Sequence, residues 1–272
     1  MGTVQSQQSQ QSQQSQSQIP HFYSIGSAAT LAAAEDLDHY RTDCQESRAN
    51  RIARDRTTYS YNRLQGDQET NLLDQLNLFR NRLPDALQPI QAVVVPLMPS
   101  ADAGMPHTRP PNVVAYPLTG GGLSFETFSH ELWHLHQRRW YKDWVQFFEK
   151  EWRFRVFEGD LPSQFEAVLR INPDTMTDPL WIWNDTWVPM CVFLNPVTPE
   201  LSQTDVWFYN VRSKTYVQEL PPAMAEFFSK NRRLPKTAFE HPCELAAYGL
   251  TDDSLQSIGM DRARTRWLSS NR

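Results

Sequence analysis

The chain has 272 residues, 12% of them aromatic, so it is long enough to bury a sizeable hydrophobic core. Its formal net charge of −5 gives no overall basic field, which argues against nucleic acid as the main partner. The sequence contains no run of about 18 apolar residues and no apolar N-terminal segment of the secretory type, so it indicates neither a membrane span nor a Sec signal.

The three cysteines are widely spaced and include no C-x-x-C pair. This spacing favours neither a disulfide framework nor a cysteine-rich zinc knuckle. A reducing compartment is the simpler interpretation, and we expect an intracellular, cytoplasmic protein.

Residues 1–20 consist almost entirely of Gln and Ser after Val4. Such a segment has too little apolar surface to repay the ordering of its backbone, so we expect a disordered tail. Its first six residues match the M-G-x-x-x-[ST] pattern of N-myristoylation, with Gly2 as the acceptor. No basic cluster follows to supply the second signal that stable anchoring needs. Membrane contact through Gly2 is therefore an alternative to a plain tail.

Helices between residues 27 and 82 are expected to form a scaffold, and two strands follow them. The range 27–56 is rich in helix-forming residues and predicts one or two helices, and the range 69–82 predicts a further helix before Pro84. The apolar ranges 90–97 and 112–118 predict two strands. Between them, residues 98–111 are rich in proline and predict a loop.

A longer helix is expected after Ser124, which is a suitable N-cap. Because no Pro or Gly occurs before Gly159, this helix could run from residue 125 to about 157. Two apolar stripes lie along it, one of Trp133, Trp140, Trp144 and Phe147 and the other of Phe128, Leu132 and Leu135. Burial on two sides would hold the residues between the stripes rigidly.

Residues 130–134, within this helix, read His-Glu-Leu-Trp-His. Residues four apart in a helix are separated by about 400°, so His130 and His134 can aim their imidazole nitrogens at one point. That point fits a zinc ion. Glu131 lies about 100° around from His130, where its carboxylate can take a proton from a metal-bound water. This H-E-x-x-H pattern is typical of zinc-dependent peptidases.

A catalytic zinc needs three protein ligands and one open position. The residue ten positions after His130 is Trp, which excludes one common third ligand, and His136 points about 240° away from His130. The best remaining region is a helix expected from Pro242 to Gly249 together with the residues just before it. The groups in this region that can bind zinc are Glu240, His241, Cys243 and Glu244.

The pattern His130-Glu131-x-x-His134 followed by Glu244-x-x-Ala247-Tyr248 resembles the gluzincin branch of zinc metallopeptidases. In that family a downstream helical Glu is the third ligand, and a small residue lets the two helices pack closely. The resemblance implies zinc ligands at His130, His134 and Glu244, with Glu131 as the general base. Residues 104–108 and 240–244 also look like segments of small uncharacterised proteins of this type.

For the fold, the resemblance implies an α+β, zincin-like domain in which a long active-site helix packs against a small mixed sheet, with further helices. Residues 157–236, aromatic and interrupted by proline, would be an insertion that folds over or beside the cleft. Within it we expect a hairpin over residues 205–220 and a helix over 221–229. The sequence has no internal repeat and no second core, so residues 21–272 are expected to form one domain.

We therefore expect a zinc metallopeptidase that acts on protein or peptide substrates. Tyr248 and His241 are the nearest candidates in sequence to stabilise the oxyanion, and further candidates are Tyr209, Tyr216 and His107. If strand 112–118 lies at a sheet edge, it could pair with an extended peptide, which would favour an endopeptidase.

The alternative is a catalytically silent zincin-like protein with a binding or assembly role, held at a membrane through Gly2. The presence of Glu131 favours the enzyme. A purely structural zinc site has no use for a base beside an open coordination position and more often has four closed ligands.

Overall fold

The computed structural model describes residues 22–119, 122–229 and 234–269. Within these ranges the protein has an α+β architecture with two β-sheets. The expected tail and its Gly2 lie outside the described residues. None of the helices in these ranges combines the length and the apolar character needed to cross a lipid bilayer.

The first sheet is small and mixed, as expected. Its strands are β1 (Tyr23–Ile25), β2 (Ala92–Leu97), β3 (His107–Arg109) and β4 (Val113–Pro117). Their order is β1-β2-β4-β3, with β1, β2 and β4 parallel and β3 antiparallel to β4. The strands predicted over 90–97 and 112–118 are confirmed as β2 and β4.

The segment 98–111 is not the plain loop that was expected. It contains β3 and a short 3-10 helix, Ala101–Gly104. Because β3 covers its side, β4 lies inside the sheet, and the expectation that it could be an edge strand for peptide binding is wrong. Strand β3 could not be predicted from composition, because a three-residue strand bounded by Pro106 and Pro110 has the proline content of a loop.

Three helices follow β1 where one or two were expected. They are α1 (Ala28–Asp38), α2 (Tyr40–Glu46) and α3 (Arg48–Asp55). The chain breaks at His39, whose φ of 54° is left-handed, and at Ser47, whose backbone is extended. Neither residue is Pro or Gly, so composition does not reveal the breaks. Helix α4 (Gln68–Arg80) confirms the helix predicted over 69–82.

The motif helix α5 (Phe125–Arg139) begins as expected, with the Ser124 hydroxyl accepting a hydrogen bond from the Thr127 N–H at 3.1 Å. Its predicted continuation to residue 157 is wrong. The helix ends at Trp140, with φ −113° and ψ 41°, and α6 (Tyr141–Trp152) follows. The rings of Trp140 and His136 lie 4.2 Å apart. Such tertiary packing overrides helix propensity, which alone predicts one helix.

The second sheet is antiparallel throughout and lies almost entirely in the expected insertion. Its strands are β5 (Phe154–Val156), β6 (Trp181–Trp183), β7 (Trp187–Phe193), β8 (Thr204–Asn210) and β9 (Thr215–Val217). Strands β8 and β9 form the hairpin predicted over 205–220. Two helices accompany the sheet, α7 (Ser163–Glu166) and α8 (Pro222–Phe228), and α8 confirms the helix predicted over 221–229.

Two packed helices follow, α9 (Pro242–Thr251) and α10 (Ile258–Trp267). Helix α9 does not end at Gly249 as expected but continues to Thr251. A Cβ at Gly249 would overlap the Sδ atom of Met260 in α10. The glycine therefore permits close approach of two helices and is not a C-terminal cap.

Helix α5 lies between the first sheet and α9. Phe128 and Leu132 of α5 have no exposed surface, and neither do Leu245 and Ala247 of α9. All four belong to one buried cluster that also contains side chains of β2 and β4. The H-E-x-x-H segment is thus held from both sides.

Candidate metal centre

The structure brings His130, His134 and Glu244 together. The Nε2 atom of His130 lies 3.0 Å from Nε2 of His134 and 3.2 Å from Oε2 of Glu244, and the third side of the triangle, from His134 Nε2 to Glu244 Oε2, is 3.5 Å. In a tetrahedral zinc site with bonds of about 2.0–2.1 Å, neighbouring ligand atoms are about 3.3 Å apart. The donor set therefore fits a zinc ion, and among the described residues it is the one cluster of this kind.

Two helices supply the three donors. His130 and His134 lie one turn apart on α5, and Glu244 lies in the first turn of α9, which packs against α5. Although His134 and Glu244 are 110 positions apart in the sequence, the fold places them side by side. Ala247, one turn after Glu244, has no exposed surface, as close packing of the two helices requires.

Gln137 fixes the orientation of His134. Its Oε1 lies 2.9 Å from Nδ1 of His134, and its Nε2 donates to the carbonyl of Cys243 at 2.9 Å. Since an amide oxygen only accepts, Nδ1 carries a proton, and Nε2 is the nitrogen that faces the site and is available to a metal. The same side chain links α5 to α9. Gln137 is not among the site residues predicted from the sequence, although its position three residues after His134 places it on the same helix face.

Buried carboxylates make the centre strongly negative. Burial alone would lower the pKa of His134, but Glu244, Asp174 and Glu131 outweigh it and raise this pKa to about 10. Burial would likewise raise the pKa of Glu244, yet the two histidines hold it well below its usual range. A field that stabilises an imidazolium ion also stabilises a metal cation.

Glu131 lies buried beside the three donors, with 3% of its surface exposed. Its Oε2 has no hydrogen-bond partner among the described residues. Burial, followed by the charge of Asp174, raises the pKa of Glu131 well above its usual range. A buried carboxyl oxygen without a partner calls for an explanation, and a water molecule or a substrate group in the cleft would supply one.

A cavity of about 590 Å³ lies over the centre, a volume in the range of small-ligand sites. His130, Glu131 and Glu244 form part of its wall. The insertion also contributes Arg170, Asn172, Asp174 and Thr204. Part of the insertion therefore borders the cleft.

Tyr248 and His241 occupy different positions relative to the site. The Tyr248 ring lies 4.6 Å from the ring of His130 and lines the cavity. His241 caps α9, because its Nδ1 accepts from the N–H of Cys243 at 3.0 Å while its Nε2 donates to the carbonyl of Asp178 at 2.8 Å. Burial lowers the pKa of His241 to about 4. Because both of its ring nitrogens are engaged, His241 has a capping role. Tyr248 therefore remains as the candidate beside the donors for stabilising the oxyanion.

The other candidates for stabilising the oxyanion are dispersed in the structure. His107 lines the cavity and lies 3.0 Å from the Tyr59 hydroxyl, measured from its Nε2. Tyr209 is buried in the second sheet, and Tyr216 stacks on Trp207 with ring centroids 5.1 Å apart.

The alternative third ligands are also engaged away from the histidines. Both carboxylate oxygens of Glu240 lie 2.6 Å from Nη2 of Arg170. Cys243 is a free thiol whose pKa is raised well above its usual value, first by burial and then by the charge of Glu244. Protonated sulfur is not the form that binds zinc. Among the four candidates, Glu244 alone has its carboxylate directed at both histidines.

No protein-family model, no curated protein and no solved structure matches the chain. The interpretation of the site therefore depends on its own donors, distances and charges.

Proposed function

We propose that this protein is a zinc-dependent metallopeptidase of gluzincin type with a zincin-like fold. The observation that carries the proposal is the position of Glu131 beside three donors whose spacing suits zinc. Glu131 is a buried carboxyl, and one of its oxygens has no partner in the described part of the chain. A cavity of about 590 Å³ gives a substrate access to the same groups.

His130, His134 and Glu244 would hold the zinc ion, which supplies an acidified water and a Lewis acid for a carbonyl oxygen when it is bound. Glu131 accepts a proton as water attacks the scissile carbonyl carbon. When the C–N bond breaks, Glu131 returns the proton to the leaving amine. Tyr248, packed edge-on against His130, is the side chain we assign to the developing oxyanion.

The alternative is a catalytically silent protein with a binding or assembly role. One contact limits how a peptide can bind in either case. The N–H of Thr108, on strand β3, donates to Oδ1 of Asp174 at 2.6 Å. A peptide therefore cannot add to the sheet at this residue while Asp174 is in place. The enzyme remains the better proposal because a silent site does not need Glu131.

The deciding experiment compares the wild type with Glu131→Gln. Zinc content is measured by elemental analysis, and hydrolysis is followed on a broad library of quenched fluorescent peptides. We expect both proteins to bind one zinc ion and only the wild type to cleave. A wild type that carries zinc and cleaves nothing would support the silent alternative, and comparable turnover by Glu131→Gln would remove the general-base role.

A further inference from the structure

The third donor of the candidate centre is held by a segment outside both motif helices. Asn172, between α7 and β6, directs its Nδ2 at Oε1 of Glu244 at 2.8 Å. The other oxygen of this carboxylate, Oε2, is the one that faces His130 and His134. One oxygen of Glu244 is thus engaged by an amide, and the other is left for the centre.

Asn172 is itself fixed in orientation. Its Oδ1 accepts a hydrogen bond from the backbone N–H of Asp174 at 3.0 Å. Because this contact requires the amide oxygen, the NH₂ group must point to the opposite side, where it meets Glu244 and also Oε1 of Glu240 at 2.6 Å. The amide cannot flip without losing all three contacts.

A buried ion pair supports this arrangement. Arg170 lies within 2.6 Å of both oxygens of Glu240, so a guanidinium balances the carboxylate that shares the Asn172 amide. Arg170 also donates from Nε to the Sγ of Cys191 at 3.1 Å. A polar chain therefore runs from the second sheet through Arg170, Glu240 and Asn172 to Glu244.

The backbone just before Asn172 is anchored by helix α3. Asn50 donates from Nδ2 to the carbonyl of Leu169 at 2.7 Å and accepts from the N–H of Ile171 at 2.9 Å. Arg54 donates to the carbonyl of Ile171 at 2.8 Å. These contacts leave little freedom for the segment that carries Asn172.

We propose that Asn172 is a positioning residue that makes Glu244 bind the metal through Oε2 alone. The inference rests on the proposed metal site and extends it, because it assigns part of the insertion to metal affinity and coordination number. By occupying Oε1, Asn172 prevents two-oxygen binding by Glu244 and keeps the fourth coordination position open for water.

Zinc affinity tests this role without any substrate. Outer-sphere partners of metal ligands are worth about 10- to 100-fold in affinity, so the Kd of Asn172→Ala, measured by competition with a chelator, is expected to rise by about that factor. Asn77→Ala is the matched control, because Asn77 is exposed on α4. The absorption spectrum of the cobalt-substituted protein is expected to change in Asn172→Ala and not in the control.

A second variant separates positioning from folding. Asn172→Ser keeps an oxygen that can accept from the Asp174 N–H but removes the NH₂ group. We expect the zinc-free variant to remain folded and to unfold in one cooperative transition, at a somewhat lower temperature than the zinc-free wild type because two buried carboxylates lose a donor. Its zinc affinity should fall by the same factor as that of Asn172→Ala.

Glu244→Ala separates failure of this inference from failure of the site. If Glu244→Ala loses zinc while both Asn172 variants keep the wild-type Kd and cobalt spectrum, the positioning role is overturned and the site stands. If Glu244→Ala keeps the wild-type Kd, Glu244 is not a zinc ligand, and the proposed role of Asn172 is overturned as well.

Discussion

Asp174 closes the edge of the first sheet at Thr108. Its Oδ1 accepts two hydrogen bonds from this residue, one from the backbone N–H and one from the hydroxyl, both at 2.6 Å. Strand β3 is an edge strand, and an unpaired edge N–H would otherwise be available to an extended peptide. A substrate must therefore enter the cavity without pairing at Thr108, or it must displace Asp174.

The closed edge predicts slow hydrogen exchange at Thr108. In the wild type the Thr108 N–H is expected to be protected, although no strand of the described ranges pairs with it on that side. Asp174→Ala should expose the group, so its exchange becomes faster in amide hydrogen-exchange mass spectrometry. Asp174→Asn is the matched control because its amide oxygen can still accept the hydrogen bond. Equal exchange in all three proteins would contradict the closure.

Metal removal should lower the thermal stability. A ligand at about 100 times its Kd stabilises the folded state by about 2.7 kcal/mol, and a chain of this size loses about 2–4 °C of Tm for each kcal/mol. Adding a chelator to the zinc-loaded protein should therefore lower the Tm by about 5–10 °C in a calorimetric scan. His134→Ala, which lacks one donor, should show no chelator effect. A wild-type Tm that is insensitive to the chelator would count against the site.

Gln137 should contribute to both stability and metal affinity. Gln137→Ala frees Nδ1 of His134 and leaves the Cys243 carbonyl without its amide donor, so we expect a loss of about 1–3 kcal/mol in the free energy of unfolding. Loss of the outer-sphere contact should also raise the zinc Kd by about 10- to 100-fold. Urea unfolding and chelator competition measure the two effects.

The control for this variant is Gln146→Ala, since Gln146 is exposed on α6. It should leave both quantities near their wild-type values. A Gln137→Ala protein with unchanged zinc affinity would reduce Gln137 to a helix-packing contact.

The parts of the site that sequence predicts are the local ones. The spacing of His130, Glu131 and His134 alone places them on neighbouring positions of one helix surface. Ser124 caps the same helix through a hydrogen bond from the N–H of Thr127, three residues later. Composition made Glu244 one of four candidate ligands, and only the resemblance to gluzincins selected it, because no spacing rule connects residues 110 positions apart.

The parts that escaped prediction depend on tertiary contacts. Asn172 is one amide in a proline-interrupted insertion, and its role becomes visible only when α9 returns to α5. The helix breaks at Trp140 because aromatic rings pack around His136. Helix propensities do not include such tertiary contacts. Strand β3 is too short to produce a periodic pattern.

His241 is expected to make the stability of the fold depend on pH. Burial lowers its pKa from about 6.5 to about 4 in the folded protein. The unfolded chain therefore binds a proton first as the pH falls, so the stability that His241 contributes is complete above about pH 6.5 and is lost as the pH falls toward 4. His241→Asn should flatten this part of the profile, because Asn also caps helices and does not titrate.

Denaturant unfolding of the zinc-free wild type and of His241→Asn between pH 4 and 7 measures the difference. If the cap is the whole role of His241, the variant should also keep the zinc affinity and any peptide hydrolysis of the wild type at pH 7. A variant that is stable and binds zinc but has lost hydrolysis would restore His241 as a group that acts on the substrate, which requires its Nε2 to leave the Asp178 carbonyl.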